Sequence, residues 1–195
     1  MDKSREAYIH FDVETYGPVP GLHSMISLGA VAIGWDTNAA AWDVTGMFEV
    51  NILPVDGTVQ DPETMAFWYR NAAAWDIATT DPFHASNAMQ KFQEWCFKQK
   101  EIWKQRKIAA VSAPCGFDFS FLRYYMVRFL GNDDPFGHSC IDMKSVASTK
   151  LQLPYRESGK SSYPAMWTAD KLPHTHIGVE DALEQAMIWS KMLDS

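Results

Sequence analysis

The amino-acid sequence predicts an α/β fold in which helices cover both faces of a mixed β-sheet. Three strand-like segments joined by short connections come first, and they indicate an antiparallel meander. Helical and strand-like segments then alternate along the rest of the chain, as in parallel strands linked by helices. The length of 195 residues suits a single domain, residues 1–195, with a substantial hydrophobic core.

The three initial strands are predicted from their hydrophobic patterns. Side chains alternate between polar and apolar over Ala7–Val13, and successive side chains of a strand point to opposite faces. Four side chains therefore share one face: Tyr8, His10, Asp12 and Glu14. The second strand, Met25–Gly34, is a continuous apolar run typical of a buried central strand. The third strand is half-buried, with one face formed by Val44, Gly46, Phe48, Val50 and Ile52.

Helical spacing begins after the third strand. Asp61, Pro62 and Glu63 predict a helix start, with Asp61 as the N-cap and proline at the first position. The residues that recur at helical spacing in this segment are Met65, Trp68, Tyr69 and Ala72. Ser86 is predicted to cap a second helix that ends near Lys100.

The second half of the chain continues the alternation. A strand is predicted at Ile108–Ala113, followed by an amphipathic helix that ends at Gly131. The apolar stripe of that helix consists of Phe121, Leu122, Tyr125, Met126 and Phe129. Ser139–Ile141 is predicted as the last strand, and Asp142 as the cap of a helix that runs to about Leu151.

Residues 152–175 contain three prolines and are predicted to form a long loop, a kind of segment that is usually functional or disordered. Three cations on this loop are candidates for substrate contact because the loop leads to His176: Arg156, Lys160 and Lys171. The final helix is predicted at Val179–Leu193, with one face formed by Leu183, Ala186, Met187 and Ser190.

Charge and composition limit the possible functions. The net charge of −7 argues against broad, sequence-blind binding to phosphate backbones, unless acidic residues hold metal ions that reverse the local field. The three cysteines have no metal-type spacing and are expected to be reduced thiols. No apolar run is long enough to span a bilayer, and no signal peptide is recognisable, so a cytoplasmic location is expected.

Five residues in three segments could form a reactive site. Asp12 and Glu14 leave the same face of a strand, and such a pair favours a hard cation, although it also fits a solvated strand end. Asp118 lies between an apolar strand and an apolar helix. This position fits a helix N-cap and a metal ligand equally well. Asp181 falls in the first turn of the last helix, just after His176. Asp181 could be an acid that interacts favourably with the helix dipole, or a metal ligand. His176 could be a surface histidine, or a general base.

These segments resemble the three motifs of the DEDDh (DnaQ-like, RNase T-like) branch of the DEDD exonuclease superfamily. FDVETYG resembles the first motif and supplies Asp12 and Glu14, and GFDFSFL resembles the second motif and supplies Asp118. The run from His176 to Asp181 resembles the third motif, in which a histidine precedes the last aspartate by five residues. The resemblance covers nearly the whole chain, with the motifs in the same order.

The resemblance implies an RNase H-like fold and a 3′–5′ exonuclease that releases nucleoside 5′-monophosphates from single-stranded DNA or RNA. It implies two Mg²⁺ or Mn²⁺ ions, with Asp12 bridging both, Glu14 and Asp181 holding one, and Asp118 supporting the other. His176 would be the general base. Thr15 and Tyr16 would be candidates for holding the terminal sugar. A homodimer is a further possibility, because many relatives are homodimers.

One departure from the family pattern concerns substrate preference. Many relatives carry a His-Asn pair shortly before the second-motif aspartate, where this chain has Ala113 and Pro114. Two alternatives to the exonuclease remain open at this point. The same fold could serve a catalytically silent nucleic-acid-binding or adaptor protein, or an endonuclease or other metal-dependent phosphoesterase.

Other residues have both a structural and a functional interpretation. The aromatic side chains of Trp68, Tyr69 and Trp75 could stack on terminal bases, but aromatics at helical spacing are more often part of the core. His10 is expected to pack beside the first motif rather than to bind metal. A basic cluster could touch a phosphate backbone but is more often a solvated helix end, and it comprises Lys98, Lys100, Lys104, Arg106 and Lys107.

Overall fold

The computed structural model describes residues 3–103, 107–131, 135–169 and 172–195. One five-stranded sheet has the strand order β3-β2-β1-β4-β5. The strands are β1 (Glu6–Thr15), β2 (Met25–Asp36), β3 (Ala41–Asn51), β4 (Lys107–Ser112) and β5 (Cys140–Asp142). The first three are antiparallel neighbours, while β4 runs parallel to β1 and β5 runs parallel to β4. The predicted mixed sheet with an antiparallel start is therefore confirmed.

Helices pack on both faces of this sheet. They are α1 (Pro62–Arg70), α2 (Ala72–Thr79), α3 (Ala85–Ile102), α4 (Cys115–Leu130), α5 (Met143–Leu151), α6 (Ala165–Thr168) and α7 (Gly178–Asp194). Within the described ranges, none of these helices combines the length and apolar character that crossing a membrane requires.

Strand β1 contributes to a separate hydrophobic core on each of its faces. Ile9, Phe11 and Val13 belong to the core that also contains buried residues of α3 and α4. Tyr8, on the opposite face, packs in a second core with Trp189 of α7. Alternation along the strand then puts the side chains at positions 10, 12 and 14 on the α7 face, as the sequence predicts.

The predicted face of β3 is interrupted by a bulge. Ile33 pairs with Val44 while Ala32 pairs with Gly46, so the register shifts at Thr45. Because one extra residue reverses the alternation, Val44 lies on the α7 side of the sheet, beside Leu183. The assignment of Val44 to the same face as Phe48 is therefore wrong.

Helix starts are predicted well where a side chain caps the backbone. Asp61 accepts a hydrogen bond from the Thr64 amide at 2.8 Å, and Asp142 accepts one from the Ser145 amide at 2.6 Å. Ser86 is not a cap, because α3 already begins at Ala85 and its N-cap residue makes no side-chain cap hydrogen bond. The separate helix α2 was not predicted.

The segment predicted as a long loop contains regular structure. It forms short 3₁₀ turns at Tyr155–Glu157 and Lys160–Ser162, and then the helix α6. Trp167 and Tyr163 are buried in the core beneath α7, which anchors the segment to the fold. The prediction of a simple loop is therefore wrong for this region, because burial of its aromatic side chains favours a folded segment.

Two glycines let α7 begin directly against the sheet. A Cβ at Gly29 would lie 1.9 Å from the backbone of Gly178 and Val179, and a Cβ at Gly178 would lie 2.8 Å from the Gly29 nitrogen. No side chain fits between these backbones. The first turn of α7 therefore lies against the centre of β2, next to β1.

Gly29→Ala is expected to destabilise the fold by about 3 kcal/mol or more, because a methyl group must displace helix backbone rather than a flexible side chain. Chemical denaturation measures this loss. Gly116→Ala is the matched control, since a Cβ at Gly116 meets nothing within 4 Å. In the control, alanine should be neutral or stabilising by up to about 1 kcal/mol. Equal stabilities of the two variants would contradict the packing argument.

Candidate active site

Three acids from two elements converge on the α7 face of the sheet. Asp12 and Glu14 extend from β1, and Asp181 lies in the first turn of α7. One carboxylate oxygen of each lies within 4.8 Å of the others. The close approach of α7 to the sheet brings Asp181 to the two acids of β1.

Asp118 is a fourth acid of this region, it is buried, and it is not a helix cap. It lies in the first turn of α4, whose N-cap residue is Pro114. Its Oδ1 accepts a hydrogen bond from the Val13 amide at 3.4 Å, and its Oδ2 accepts one from the Ser112 hydroxyl at 2.5 Å. These bonds direct the carboxylate toward β1, so the alternative of an N-cap is wrong. Asp118 raises the pKa of Asp12, as a nearby negative charge does.

Asp181 is held by three donors from the segment just before its helix. The amides of Thr175 and His176 each donate to its carboxylate at 3.1 Å, and Nδ1 of His174 lies 3.0 Å from Oδ1. The side chain of Asp181 is 1% exposed. Its orientation is therefore fixed before any ligand binds.

The electrostatics of this cluster favour a bound cation. Burial raises the pKa values of Asp12 and Glu14 well above their ordinary range, and the neighbouring carboxylates raise them further. Burial also raises the pKa of Asp118 to about 6, against the hydrogen bonds from Ser112 and Val13. Buried like charges are unfavourable unless a counter-charge is present. The donor set is entirely carboxylate oxygen, which suits Mg²⁺ or Mn²⁺, so the residues fit the metal that the resemblance implies.

His176 lies at the edge of the acid cluster in an uncommon backbone conformation. Its φ of 58° is in the left-handed region, and its amide donates to Asp181. The ring lies edge-on to Phe67, with 4.9 Å between the ring centroids. Burial lowers the pKa of His176, as does the neighbouring His174, while Asp181 opposes the shift. A lowered pKa keeps the imidazole neutral near pH 7, as a proton acceptor requires.

A cleft of about 420 Å³ opens beside Glu14, and Thr15, Phe67 and Trp68 also line it. The Thr15 hydroxyl donates to the Gly17 carbonyl at 2.9 Å, and the Tyr16 amide donates to the Ser24 carbonyl at 2.8 Å. These two donors, expected to hold the terminal sugar, are thus engaged within the protein. A substrate-binding role for Thr15 and Tyr16 stays a prediction.

The remaining candidates divide between core and surface. Trp68 is a core residue, buried to 2% exposure, and its indole donates to the Thr15 carbonyl. Tyr69 is 81% exposed, and Trp75 stacks on Tyr16. His10 is fully buried against Trp189, which agrees with the expected packing role. Three of the basic candidates lie outside the described residues: Lys104, Arg106 and Lys171.

The structure also adds residues that the sequence reasoning missed. The side-chain amide of Gln185 donates to Asp12 at 3.0 Å, and Ser112 holds Asp118. Glu184, also missed, is buried and pairs with Lys160, which the sequence had already offered as a candidate and which lowers the pKa of Asp12 against the neighbouring acids. Gln185 was recognisable in principle, since it follows Asp181 by four residues and shares its helix face.

The sequence is similar to one characterised enzyme over nearly its full length. It is 30% identical over 189 residues to the 3′–5′ DNA exonuclease Cap18 of Escherichia coli, an alignment that covers 97% of this chain and 92% of that protein. No protein-family model matches the chain.

Several solved nuclease structures have a similar fold. The nuclease domain of 3′hExo, a DEDDh family member bound to rAMP, superposes with a TM-score of 0.71 and 15% identity, covering 99% of this chain and 93% of that one. Exonuclease I of E. coli in complex with a dT13 oligonucleotide has a TM-score of 0.63 and 14% identity, over 98% of this chain and 41% of that one. Pop2p of S. pombe, bound to Mg²⁺ and Mn²⁺, has a TM-score of 0.60 and 13% identity, over 95% of this chain and 82% of that one.

Asp12→Asn is expected to stabilise the metal-free protein by about 1–3 kcal/mol at pH 8, because it removes one charge from a buried acidic cluster. The folded-state pKa of Asp12 is raised, so the folded protein binds more protons than the unfolded chain and loses stability as pH rises above about 4. The advantage of the variant should therefore shrink toward pH 4. Thermal unfolding in chelator at several pH values measures it.

The same variant should lose most of the stabilisation that Mn²⁺ gives the parent protein, because a ligand is missing. Asp56→Asn is the matched control, since Asp56 is exposed and belongs to neither group of side chains that could hold a metal ion. Parent-like Mn²⁺ stabilisation in Asp12→Asn would remove Asp12 from the metal site.

Proposed function

This chain belongs to the DEDDh branch of the DEDD 3′–5′ exonucleases, and from that premise we propose that it removes nucleotides one at a time from the 3′ end of single-stranded DNA. The products are nucleoside 5′-monophosphates. The observation that carries the proposal is the convergence of four acids and His176 around the C-terminal half of β1. DNA is proposed because Cap18, 30% identical over nearly the whole chain, is a DNA exonuclease.

Two divalent ions, Mg²⁺ or Mn²⁺, are the proposed cofactors, held by Asp12, Glu14, Asp118 and Asp181. Bound there, they would stabilise the negative charge on the attacking and leaving oxygens during an in-line displacement. The hydrogen bonds to Asp12, Asp118 and Asp181 keep these side chains oriented, so little reorganisation accompanies binding. Calorimetric titration with Mn²⁺ should give two ions per chain, and one ion would contradict the proposed number.

His176 is proposed as the general base. In the neutral state favoured by its lowered pKa, one imidazole nitrogen takes the proton of the water that attacks the terminal phosphodiester. The new phosphorus–oxygen bond forms as the bond to the 3′-oxygen of the preceding nucleotide breaks. The Asp181 carboxylate fixes the backbone of His176, and Phe67 packs against its ring.

The cleft beside Glu14 is proposed to hold the terminal nucleoside. Phe67, Trp68 and Phe117 give it an apolar and aromatic lining that suits a base and a sugar. Its other lining residues include Asp61 and Glu63, while none of the lysines and arginines that the structure describes lines it. This environment suits an uncharged nucleoside better than a phosphate.

The decisive assay uses single-stranded DNA labelled at its 5′ end, with Mg²⁺ or Mn²⁺ and with chelator as a control. A ladder that shortens from the 3′ end, only with metal, is the expected result. Circular single-stranded DNA should resist, because it has no end. A single internal product would indicate an endonuclease, and retained binding without cleavage would indicate an adaptor. Asp12→Asn prepared in parallel excludes a contaminating nuclease, and matched RNA measures the sugar preference.

His176→Gln is expected to lower kcat by about 10²–10⁴-fold, the usual contribution of a general base. Stabilisation by Mn²⁺ in thermal unfolding should change little, since the four carboxylates remain. His84→Gln is the matched control, because His84 is exposed at the start of α3. If His176→Gln weakened metal binding as strongly as turnover, His176 would be a ligand rather than a base.

A further inference from the structure

A second depression, of about 670 Å³, shares no lining residue with the nucleoside cleft, and its lining includes His174, which contacts Asp181. We call it the cationic groove. It is formed by α5, the 3₁₀ turns and the beginning of α7. The side chains that define it are Lys144, Tyr155, Arg156, Lys160, Tyr163 and Glu184.

The charges of the groove are the reverse of those in the nucleoside cleft. Three cations line it, and its one lining carboxylate, Glu184, is paired with Lys160. Among the described acids, none forms an ion pair with Lys144 or Arg156. Two positive charges are therefore available in a protein whose net charge is −7. Such a local cationic patch attracts an anionic polymer that the rest of the surface repels.

Lys160 connects the groove to the reacting centre. Glu184, the partner of Lys160, is 1% exposed and immediately precedes Gln185, which holds Asp12. The second carboxylate oxygen of Glu184 has no hydrogen-bond partner. A buried acid thus holds a cation at the end of the groove that meets the acid cluster.

Aromatic residues accompany these cations. The Lys144 ammonium lies 4.6 Å from the ring centroid of Tyr155, which restricts the lysine to the groove. Tyr155 is itself 44% exposed. Cations that follow a backbone, interleaved with exposed aromatic rings, are typical of sites for single-stranded nucleic acid.

We propose that the cationic groove binds the single strand on the 5′ side of the scissile bond, with Lys144 and Arg156 contacting its phosphates. This inference rests on the proposed exonuclease function, because the terminal nucleoside must occupy the nucleoside cleft. Lys160 then lies nearest the scissile phosphate and Lys144 and Arg156 contact phosphates further from the 3′ end. The groove makes longer strands better substrates than a single esterified nucleotide.

The test removes the two uncompensated charges with Lys144→Gln/Arg156→Gln. Lys160 stays in place, because its loss would leave Glu184 buried without a counter-charge. Lys91→Gln/Lys98→Gln is the matched control, since it removes the same charge from exposed positions of α3. Each protein is assayed on the oligonucleotide dT12 and on the p-nitrophenyl ester of thymidine 5′-monophosphate, which has no upstream phosphate.

The ratio of kcat/KM for dT12 to that for the ester should fall about 10-fold in Lys144→Gln/Arg156→Gln and stay at the parent value in the control. The logarithm of the dT12 binding constant falls linearly with the logarithm of the salt concentration, and this slope should become shallower by about 1.4. That change corresponds to the loss of two phosphate contacts to a single strand. Fluorescence anisotropy on the Asp12→Asn background measures this slope without turnover. A parent-like ratio and slope would overturn the inference.

Different experimental results would contradict the proposed function and the proposed role of the groove. If the parent protein hydrolysed neither substrate, the exonuclease assignment would be wrong, whereas the anisotropy measurement would still report on the groove. If the parent hydrolysed both and the two double variants behaved alike, the function would stand and the groove assignment would be wrong. The two proposals are therefore tested separately.

Discussion

The close approach of two backbones, at Gly29 of β2 and Gly178 of α7, is the constraint on which the active-site arrangement depends. It places the first turn of α7 directly against the sheet, so that Asp181 reaches the acids of β1. Gln185, one helical turn further, then reaches Asp12. A side chain at either glycine would separate the helix from the sheet and move two groups of the site together.

Placing several carboxylates close together is electrostatically unfavourable, and hydrogen bonds from the surrounding structure hold them in place. Buried carboxylates are kept close together, and their raised pKa values report the repulsion and the loss of water. Hydrogen bonds from Ser112 and Val13 to Asp118, and from backbone amides to Asp181, hold the carboxylates without neutralising them. A cation bound among these carboxylates would offset their repulsion and so stabilise the fold.

The sequence predicts those features that local rules determine. Caps at Asp61 and Asp142, the meander of three strands, and the shared face of Asp12 and Glu14 all follow from periodicity and from residues nearby in the chain. The family resemblance added the grouping of distant motifs, which no local pattern contains. It also supplied the choice of Asp118 as a ligand, where its position alone suited an N-cap equally well.

Features set by tertiary contacts were not predictable from one sequence. The bulge at Thr45 changes the face of Val44, and although Gly46 follows it, a glycine within a strand does not by itself specify a bulge. The aromatic residues of the predicted loop fold it against α7, and neighbouring Trp68 and Tyr69 have opposite exposures. The left-handed backbone of His176 likewise depends on an acid five residues later in the chain.

The acidic lining of the proposed nucleoside cleft has a consequence for the kind of 3′ end that the enzyme would accept. With Asp61 and Glu63 in its lining, this cleft would disfavour a strand whose last sugar carries a 3′-phosphate. Such an end would carry extra negative charge into a cleft whose described lining residues include no lysine or arginine. The enzyme would therefore stall at blocked termini, which would first need a phosphatase to restore the hydroxyl.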